Sequence, residues 1–510
     1  MRINFLSAAA AGVAGGYYGS AFFYGFRGAG LLLCLFAAVL IVCLLRVLVS
    51  WGELRPLSDG SPFRVLRRIG LLAFFLSAGF TLGIGAAASV PRPLSLPLPE
   101  EGINGIGGIL LDDPRSSGGG NGMASLSLET IRGRGGIRAS AKGRALVFFP
   151  PEHIPALKEF GRKSAVYVEG RFVPGKEGSA PFFRASAVHV VRAAPGWEQF
   201  RTGLRLAVAE RFSQGSAETG VNWGGMALAL LLGIRDDLDT GIAQSYRDAG
   251  SSHVLALSGM HLAVLSSVIA FLLRRSLGLK ASVAAGAAFI LLYVFLVGPQ
   301  PSLLRAAVMY FTGAFAVFCG LKRDALPLLN LAFLIQILLW PESGQSLSFI
   351  LSYLALWGIL RAGPLFQGLF RGIIPESLLS PLAASLGAFL ATGAVTAAFF
   401  GVLRPVGIIA GLLIVPLTTV FMIASLIWLA AGFALAPAGI QPSALGGLPA
   451  RILSFLYRIL EQIVSLASRA PGFTSPGWAP VLSASLFAFA LLWYLERRRR
   501  IFASRLIPLP

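Results

Sequence analysis

Side chains able to do chemistry are sparse in this chain, and the densest group runs from Arg235 to His261. It reads Arg235-Asp236-Asp237-Leu238-Asp239, then Gly250-Ser251-Ser252-His253, then Leu257-Ser258-Gly259-Met260-His261. His253 and His261 are eight residues apart, close to two helical turns, so an unbroken helix places both on one face. Ser251, Ser252 and Ser258 extend them into a polar stripe. At membrane depth such a stripe faces a bundle interior or a wet cavity. Taken singly, each residue fits equally well as helix-to-helix contact, with Ser and Gly at the interface and His bonded to a neighbour. As a group, Ser252, His253, Ser258, Gly259 and His261 read as the lining of a polar pathway. Gly259 permits close backbone approach or marks a break. Arg305, near the start of a later apolar segment, joins them. It can meet a phosphate, or it can snorkel to the interface. Ser258 and His261 are also neighbours in the sense of nucleophile and base. No strand-to-helix elbow or oxyanion site accompanies them, so a membrane-embedded serine hydrolase is only an alternative. Asp236, Asp237 and Asp239 fit no calcium-loop or two-metal spacing, and helix capping from Asp239 or Thr240 explains part of the cluster.

The second group is basic. Arg132, Arg134, Arg138, Lys142 and Arg144 follow one another without an acid between them, and Lys158, Arg162, Lys163 and Arg184 add to them. A groove tracking a polynucleotide backbone needs such a run, with aromatic faces for bases to stack on. Phe148, Phe149, Tyr167, Phe172, Phe182 and Phe183 can supply those faces. Against this, residues 100–200 hold 13 Lys or Arg and 10 Asp or Glu, a balance of only +3. A solvated face or contact with anionic lipid is an equal reading.

The elements that must position these groups are mostly membrane helices. Of 510 residues, 55% are hydrophobic and 13% charged, and the mean hydropathy is +0.74, outside the range of soluble enzymes. Several stretches reach the roughly 20 apolar residues of a span, among them residues 29–50, 69–90 and 382–402. The start of the chain reads as a first apolar segment, residues 5–26, and not as a signal peptide. The formal charge of +20 is largely what the positive-inside rule requires. Arg46, Arg55, Arg64, Arg67 and Arg68 mark a cytoplasmic loop, Arg274, Arg275 and Lys280 another, and Arg497 to Arg500 follow the last span. Residues 69–90 then exit the cell, prolines at 91, 93, 97 and 99 form a stiff spacer, and residues 100–195 are extracytoplasmic. Alternating short runs there predict strands at 103–111, 123–132, 144–149, 165–172 and 182–192. Five strands in this length suit a small OB-like barrel.

Residues 197–212 carry Phe200, Leu204, Val208 and Phe212 at helical spacing and predict an amphipathic interfacial helix. Apolar segments resume at 253–273, 281–297, 303–319, 325–340, 347–360, 382–402 and 408–435. Residues 451–469 read as amphipathic and 481–495 as the last span. Placing residues 100–195 outside and Arg497 to Arg500 inside demands an odd number of crossings between them, which the segments alone do not settle. One segment is therefore expected to be broken or re-entrant, with Pro416 and the Gly298-Pro299-Gln300-Pro301 stretch as candidates. Five parts follow: N-terminal transmembrane helices (1–95), the β domain (96–195), the interfacial helix (196–222), a transmembrane core (223–440), and an amphipathic helix, last span and basic tail (441–510). Cys34, Cys43 and Cys319 all lie in apolar segments, so no disulfide framework is suggested.

The stretch around Gly250-Ser251-Ser252-His253 and Leu257-Ser258-Gly259-Met260-His261 resembles the signature of the ComEC competence family. Ser302-Leu303-Leu304-Arg305-Ala306-Ala307, Ser348-Phe349-Ile350-Leu351-Ser352-Tyr353 and Leu413-Ile414-Val415-Pro416-Leu417 match further elements in order, and with the N-terminal spans and the barrel the resemblance covers almost the whole chain. It implies a multi-pass channel of the cell inner membrane that takes up single-stranded DNA during natural transformation, and no enzyme. The lipid bilayer, a separate nuclease and a cytoplasmic motor or strand-binding protein would be its partners, and it would need no cofactor. A small-molecule transporter remains an alternative. Many members carry a C-terminal metallo-β-lactamase-like domain. With His153, His189, His253 and His261 as the only histidines, the ligands of that fold are not expected here. No phosphate-binding loop of the Gly-Lys-Ser/Thr type is present either, so the driving force is expected from a partner or the membrane potential.

Overall fold

A computed structural model describes residues 5–23, 62–88, 96–97, 99–116, 120–133, 135–174, 181–257, 259–321, 324–435, 447–474 and 477–506. The predicted segment 29–50, the loop 51–61, Arg134 and Ser258 lie outside the described residues. Helices are α1 (Phe5–Phe23), α2 (Pro62–Ala88), α3 (Ile154–Phe160), α4 (Gly196–Thr219), α5 (Trp223–Leu232), α6 (Thr240–Asp248), α7 (Ser252–Leu255) and α8 (Gly259–Val297). They continue as α9 (Pro301–Phe318), α10 (Ala325–Leu339), α11 (Leu347–Arg361), α12 (Gly363–Phe370), α13 (Glu376–Phe400), α14 (Val406–Leu435), α15 (Leu448–Ser468) and α16 (Trp478–Leu506). Among the described residues, six helical stretches are long and apolar enough to cross a membrane: Leu71–Ala88, Leu273–Val297, Pro301–Phe318, Leu347–Phe370, Glu376–Phe400 and Val406–Leu435. The fold is therefore that of a polytopic helical membrane protein with a seven-stranded sheet inserted after α2 and a short pairing of Val402–Leu403 with Phe473–Thr474.

α1 and α2 pair through facing small-residue motifs, Gly12 with Gly16 and Gly79 with Gly83. A Cβ at Gly16 would lie 2.0 Å from the Phe80 carbonyl oxygen, and one at Gly83 2.3 Å from that of Val13. Only glycine admits backbones this close, which is how such helices associate where the hydrophobic effect gives no drive. α5 is buried at all ten positions, as a helix apolar on every side must be. Its first residue, Trp223, packs edge-on against Phe212 and Trp428, whose rings stack on each other.

Of the two anticipated helix breaks, one is absent and one is present. α14 runs through Pro416 without interruption, because neighbouring helices can absorb a freed carbonyl. The Gly298 turn, with φ +102, does end α8 and start α9. Gly278, with φ 75 and ψ 176, divides α8 into two limbs, with Arg274, Arg275 and Lys280 exposed beside it.

The inserted sheet has seven strands: β1 (Ile103–Leu110), β2 (Arg115–Ser116), β3 (Gly122–Gly133), β4 (Arg138–Ser140), β5 (Arg144–Phe149), β6 (Ala165–Val173) and β7 (Phe182–Arg192). Pairing runs β1–β6–β7–β5–β3, and β3 pairs back to β1. Only the β5–β7 contact is parallel. The five anticipated strands are present, and β5 and β7 have the anticipated bounds. β2, β4 and α3 were not anticipated, because each is too short to leave a periodic signal. Strand β3 alternates buried and partly exposed residues over most of its length, with Ala124, Leu126, Leu128 and Ile131 inward.

The helix expected at 197–212 spans Gly196–Thr219 and buries a different face. Val208 and Phe212 point into the core, but Phe200 is 68% exposed while Glu198 and Arg201 are fully buried. Its first turns are held by ion pairs to the sheet domain, and hydrophobic spacing does not report such pairs.

Candidate functional site

The signature segment is not one helix. α6 ends at Asp248, α7 lasts one turn, and Ala256 is extended (φ −78, ψ 133) before α8 starts at Gly259. His253 and His261 therefore share no helical face, which corrects the stripe expected from their spacing. Ser251 and His261 are buried, whereas Ser252 and His253 are exposed. Leu255 and Leu257, on either side of the break, find side-chain partners for their carbonyls. Arg235 Nη2 donates to Leu255 O at 2.9 Å, and Ser302 Oγ to Leu257 O at 2.7 Å. Buried backbone acceptors freed by a helix break need such donors.

That second bond brings the start of α9 against the signature. One turn further on, Arg305 is only 8% exposed, so it is buried in protein and does not snorkel. A Cβ at Gly259 would lie 2.6 Å from Arg305 Nη2, so the absence of a side chain at Gly259 makes room for the guanidinium. The Arg305 guanidinium lies 5.9 Å from the centroid of the Tyr353 ring. Tyr353 Oη donates to Gln336 Oε1 at 3.0 Å, and Gln336 Nε2 donates to Pro301 O at 3.0 Å. Gly259, Ser302, Arg305 and Tyr353 thus meet at one buried place, although they come from three separated sequence elements. Among the described residues no carboxylate lies within ion-pair distance of Arg305, and its Nε has no hydrogen-bond partner.

Of the basic run, Arg132 and Arg138 stand opposite each other across β3 and β4, and both are exposed with Lys142 and Arg144. Arg144 is engaged by Glu342, which lies in the turn between α10 and α11. Phe149, Phe172 and Phe183 are buried in the sheet core, so these three expected stacking faces are instead packing residues. Alternation puts them inward, since Val147 and Ala185 flank them on the same face. Phe148 stays half-buried on the outer face beside Arg184, and Arg184 stands opposite Arg171.

Sequence reasoning missed a buried ionic network. Arg201 Nη1 donates to Asp113 Oδ1 at 3.1 Å and to Glu198 Oε1 at 2.7 Å, and its Nε donates to Phe295 O at 3.0 Å. Arg162 pairs with Glu198, and Arg205 Nη1 donates to Leu296 O at 3.0 Å and Val297 O at 3.1 Å. Burial by itself would raise the Asp113 carboxyl, but the Arg201 hydrogen bond and the Arg205 and Arg201 charges outweigh it and hold it below its usual range. Burial lowers the Arg205 guanidinium to about 10, with Asp113 opposing. The Glu198/Arg201 spacing is the one local signal that was available. Asp113 is far away in sequence.

Asp239 caps α6 through the amides of Gly241 and Ile242, as its position before Thr240 suggested. Asp236 accepts the Ser116 amide at 2.8 Å and pairs with Lys158 at 2.6 Å. Among the described residues no cluster of three His, Cys, Asp or Glu is arranged to hold a metal.

Residues 230–499 match the family model described as Competence protein. An uncharacterized protein of Aquifex aeolicus (strain VF5) is 26% identical over 330 residues, covering 63% of this chain and 76% of that protein. ComE operon protein 3 of Bacillus subtilis (strain 168) is 30% identical over 173 residues, covering 32% of this chain and 21% of that relative, so the chain spans about a fifth of its length. No solved structure matches. The family match takes in more than half of the chain and contains the whole buried junction of Gly259, Ser302, Arg305 and Tyr353, so this multi-pass membrane protein belongs to the Competence protein family.

Proposed function

We propose that the chain forms a conduit that passes single-stranded DNA across the cell inner membrane during natural transformation, without itself being an enzyme. The observation that carries the reading is the junction around Arg305. A cation on a membrane helix costs about 2.5–3.5 kcal/mol on insertion scales, and an uncompensated one is kept where an anion passes or binds. A polynucleotide supplies such an anion at every residue. His261 and Gly259 contribute to the wall of this path, and Ser252 and His253 to its accessible mouth. The cyclic strand pairing, with a parallel β5–β7 contact, supports an OB-like barrel. Its outer face would carry the strand on Arg132, Arg138, Arg171 and Arg184, with Phe148 as a stacking surface. The five-part division of the chain, with the sheet domain outside the cell, is part of the same reading, as are a separate nuclease and a cytoplasmic motor.

The test is uptake of labelled DNA by cells lacking the gene and complemented with variants. Deletion abolishes uptake and leaves surface binding of DNA intact. Arg305→Met does the same while the protein accumulates normally, because replacing an uncompensated buried charge by an apolar side chain is neutral or stabilising. Normal uptake by the Met variant would show that the junction carries no anion. A labelled serine-reactive probe leaves the protein unmarked. Marking at Ser258 would instead support a hydrolase.

A further inference from the structure

We propose that Asp113, Glu198 and Arg201 are positioning residues, which tie the sheet domain to the end of α8 and through the Gly298 turn set the place of Ser302 and Arg305. The network joins parts that are far apart in sequence. Asp113 follows β1, Arg162 precedes β6, Glu198, Arg201 and Arg205 lie on α4, and the carbonyl acceptors belong to Phe295, Leu296 and Val297. Those carbonyls are among the last of α8, which by geometry have no partner within their own helix. Arginines of α4 therefore cap a membrane helix from outside it.

The charge count explains why this end is chosen. Three guanidinium groups face two carboxylates, and the surplus positive charge sits at a helix C-terminus, where the backbone dipole presents its negative pole. Glu198 and Arg201 have no exposed side-chain surface, and Arg201 uses Nε, Nη1 and Nη2 on three different partners. Such a cluster tolerates little displacement, because any lost contact strands a desolvated charge.

The path from the network to the junction is short and stiff. Gly298 follows Val297 directly, and a Cβ there would lie 3.1 Å from Arg162 Nη1, so the turn is pressed against the clamp. Gln300 N donates to Gly298 O at 2.9 Å, and Leu304 N to Gln300 O at 2.8 Å. Pro299 and Pro301 fix two further backbone angles. Movement of the sheet domain relative to α8 is thereby passed to the first turn of α9, which holds Ser302 against Leu257 and Arg305 against Gly259. Coupling of this kind is reciprocal: what occupies the sheet domain biases the junction, and occupancy of the junction biases the domain.

The experiment is hydrogen exchange with mass spectrometry on the full chain in lipid nanodiscs, comparing the parent with Asp113→Asn, Glu198→Gln and the control Asp112→Asn. In the two clamp variants, amides of residues 294–306 exchange at least about tenfold faster, while strands β6 and β7 keep their protection. Asp112→Asn changes neither. Unchanged exchange at 294–306 in both clamp variants overturns the proposal. So does loss of β6 and β7 protection alongside it, because the network would then hold only the domain's own fold. The proposal rests on the reading of Arg305 as the conduit site only for its consequence, and the exchange result does not depend on DNA. A protein that carries no DNA can still pass this test, and one that imports DNA can fail it.

Discussion

A guanidinium surrounded by membrane helices must be made room for and must be held. Gly259 makes the room, and the Tyr353 ring, itself fixed by Gln336, covers one side of it. Gly259→Ala puts a methyl carbon 2.6 Å from Arg305 Nη2, closer than two such atoms can approach, so the guanidinium must move. Gly259 is the first residue of α8, and alanine loses less conformational freedom on folding than glycine, which offsets part of the crowding. The expected outcome is a thermal midpoint within a few degrees of the parent and DNA uptake reduced about tenfold, equivalent to roughly 1.4 kcal/mol. Unimpaired uptake at unchanged stability would detach Gly259 from function. The residue types at this junction were legible in the sequence, since Gly259 and Arg305 both stood out. Their meeting was not, because it depends on a one-turn helix and an extended Ala256 that interrupt the apparent His253–His261 periodicity. Tyr353 stood within a recognisable element, but nothing in its own neighbourhood pointed to Arg305.

Elements were read best where their periodicity is undiluted. The alternation in β3, β5, β6 and β7 survives into the structure because one face of each strand is buried. Helix interruptions were read worst. Pro416 removes only one donor and is absorbed, whereas Gly278 adopts an angle that other residues rarely take. The close pairing of α1 with α2 had a sequence signal, glycines four apart on both helices, that hydropathy alone does not register. At Gly16 a side chain would have to displace the Phe80 carbonyl, which is backbone and cannot rotate away. Gly16→Leu is therefore expected to part the helices and lower the amount of folded protein at least about fivefold, equivalent to roughly 1 kcal/mol. Gly19→Leu, where among the described residues nothing lies within 4 Å, leaves it unchanged. Comparing the two by detergent-resistant fluorescence size exclusion checks this, and equal profiles would mean that the glycines do not set the pairing.

On the scale of the whole molecule the charge separates into a spent part and a free part, which net charge cannot reveal. Arg162, Arg201 and Arg205 are consumed by Asp113, Glu198 and helix carbonyls, Lys158 by Asp236, and Arg144 by Glu342. Arg132, Arg138, Lys142, Arg171 and Arg184 are exposed on the sheet domain, and among the described residues none of them has an ion-pair partner. The +3 balance of the region thus understates the attraction a polyanion meets on that outer face and overstates what the committed arginines can add. Binding of a short single strand to the full chain in nanodiscs should weaken linearly in log-log terms with salt, at a slope of about −0.7 per phosphate neutralised. Replacing Arg171 and Arg184 together by Ala should reduce that slope by about 1.4, whereas replacing Arg144, already paired with Glu342, should leave it nearly unchanged. If Arg144→Ala lowers the slope as much as an outer-face arginine does, the Glu342 pair gives way to DNA and the division between spent and free charge fails. An unchanged slope in the Arg171/Arg184 variant would move the strand-binding surface off the sheet domain altogether.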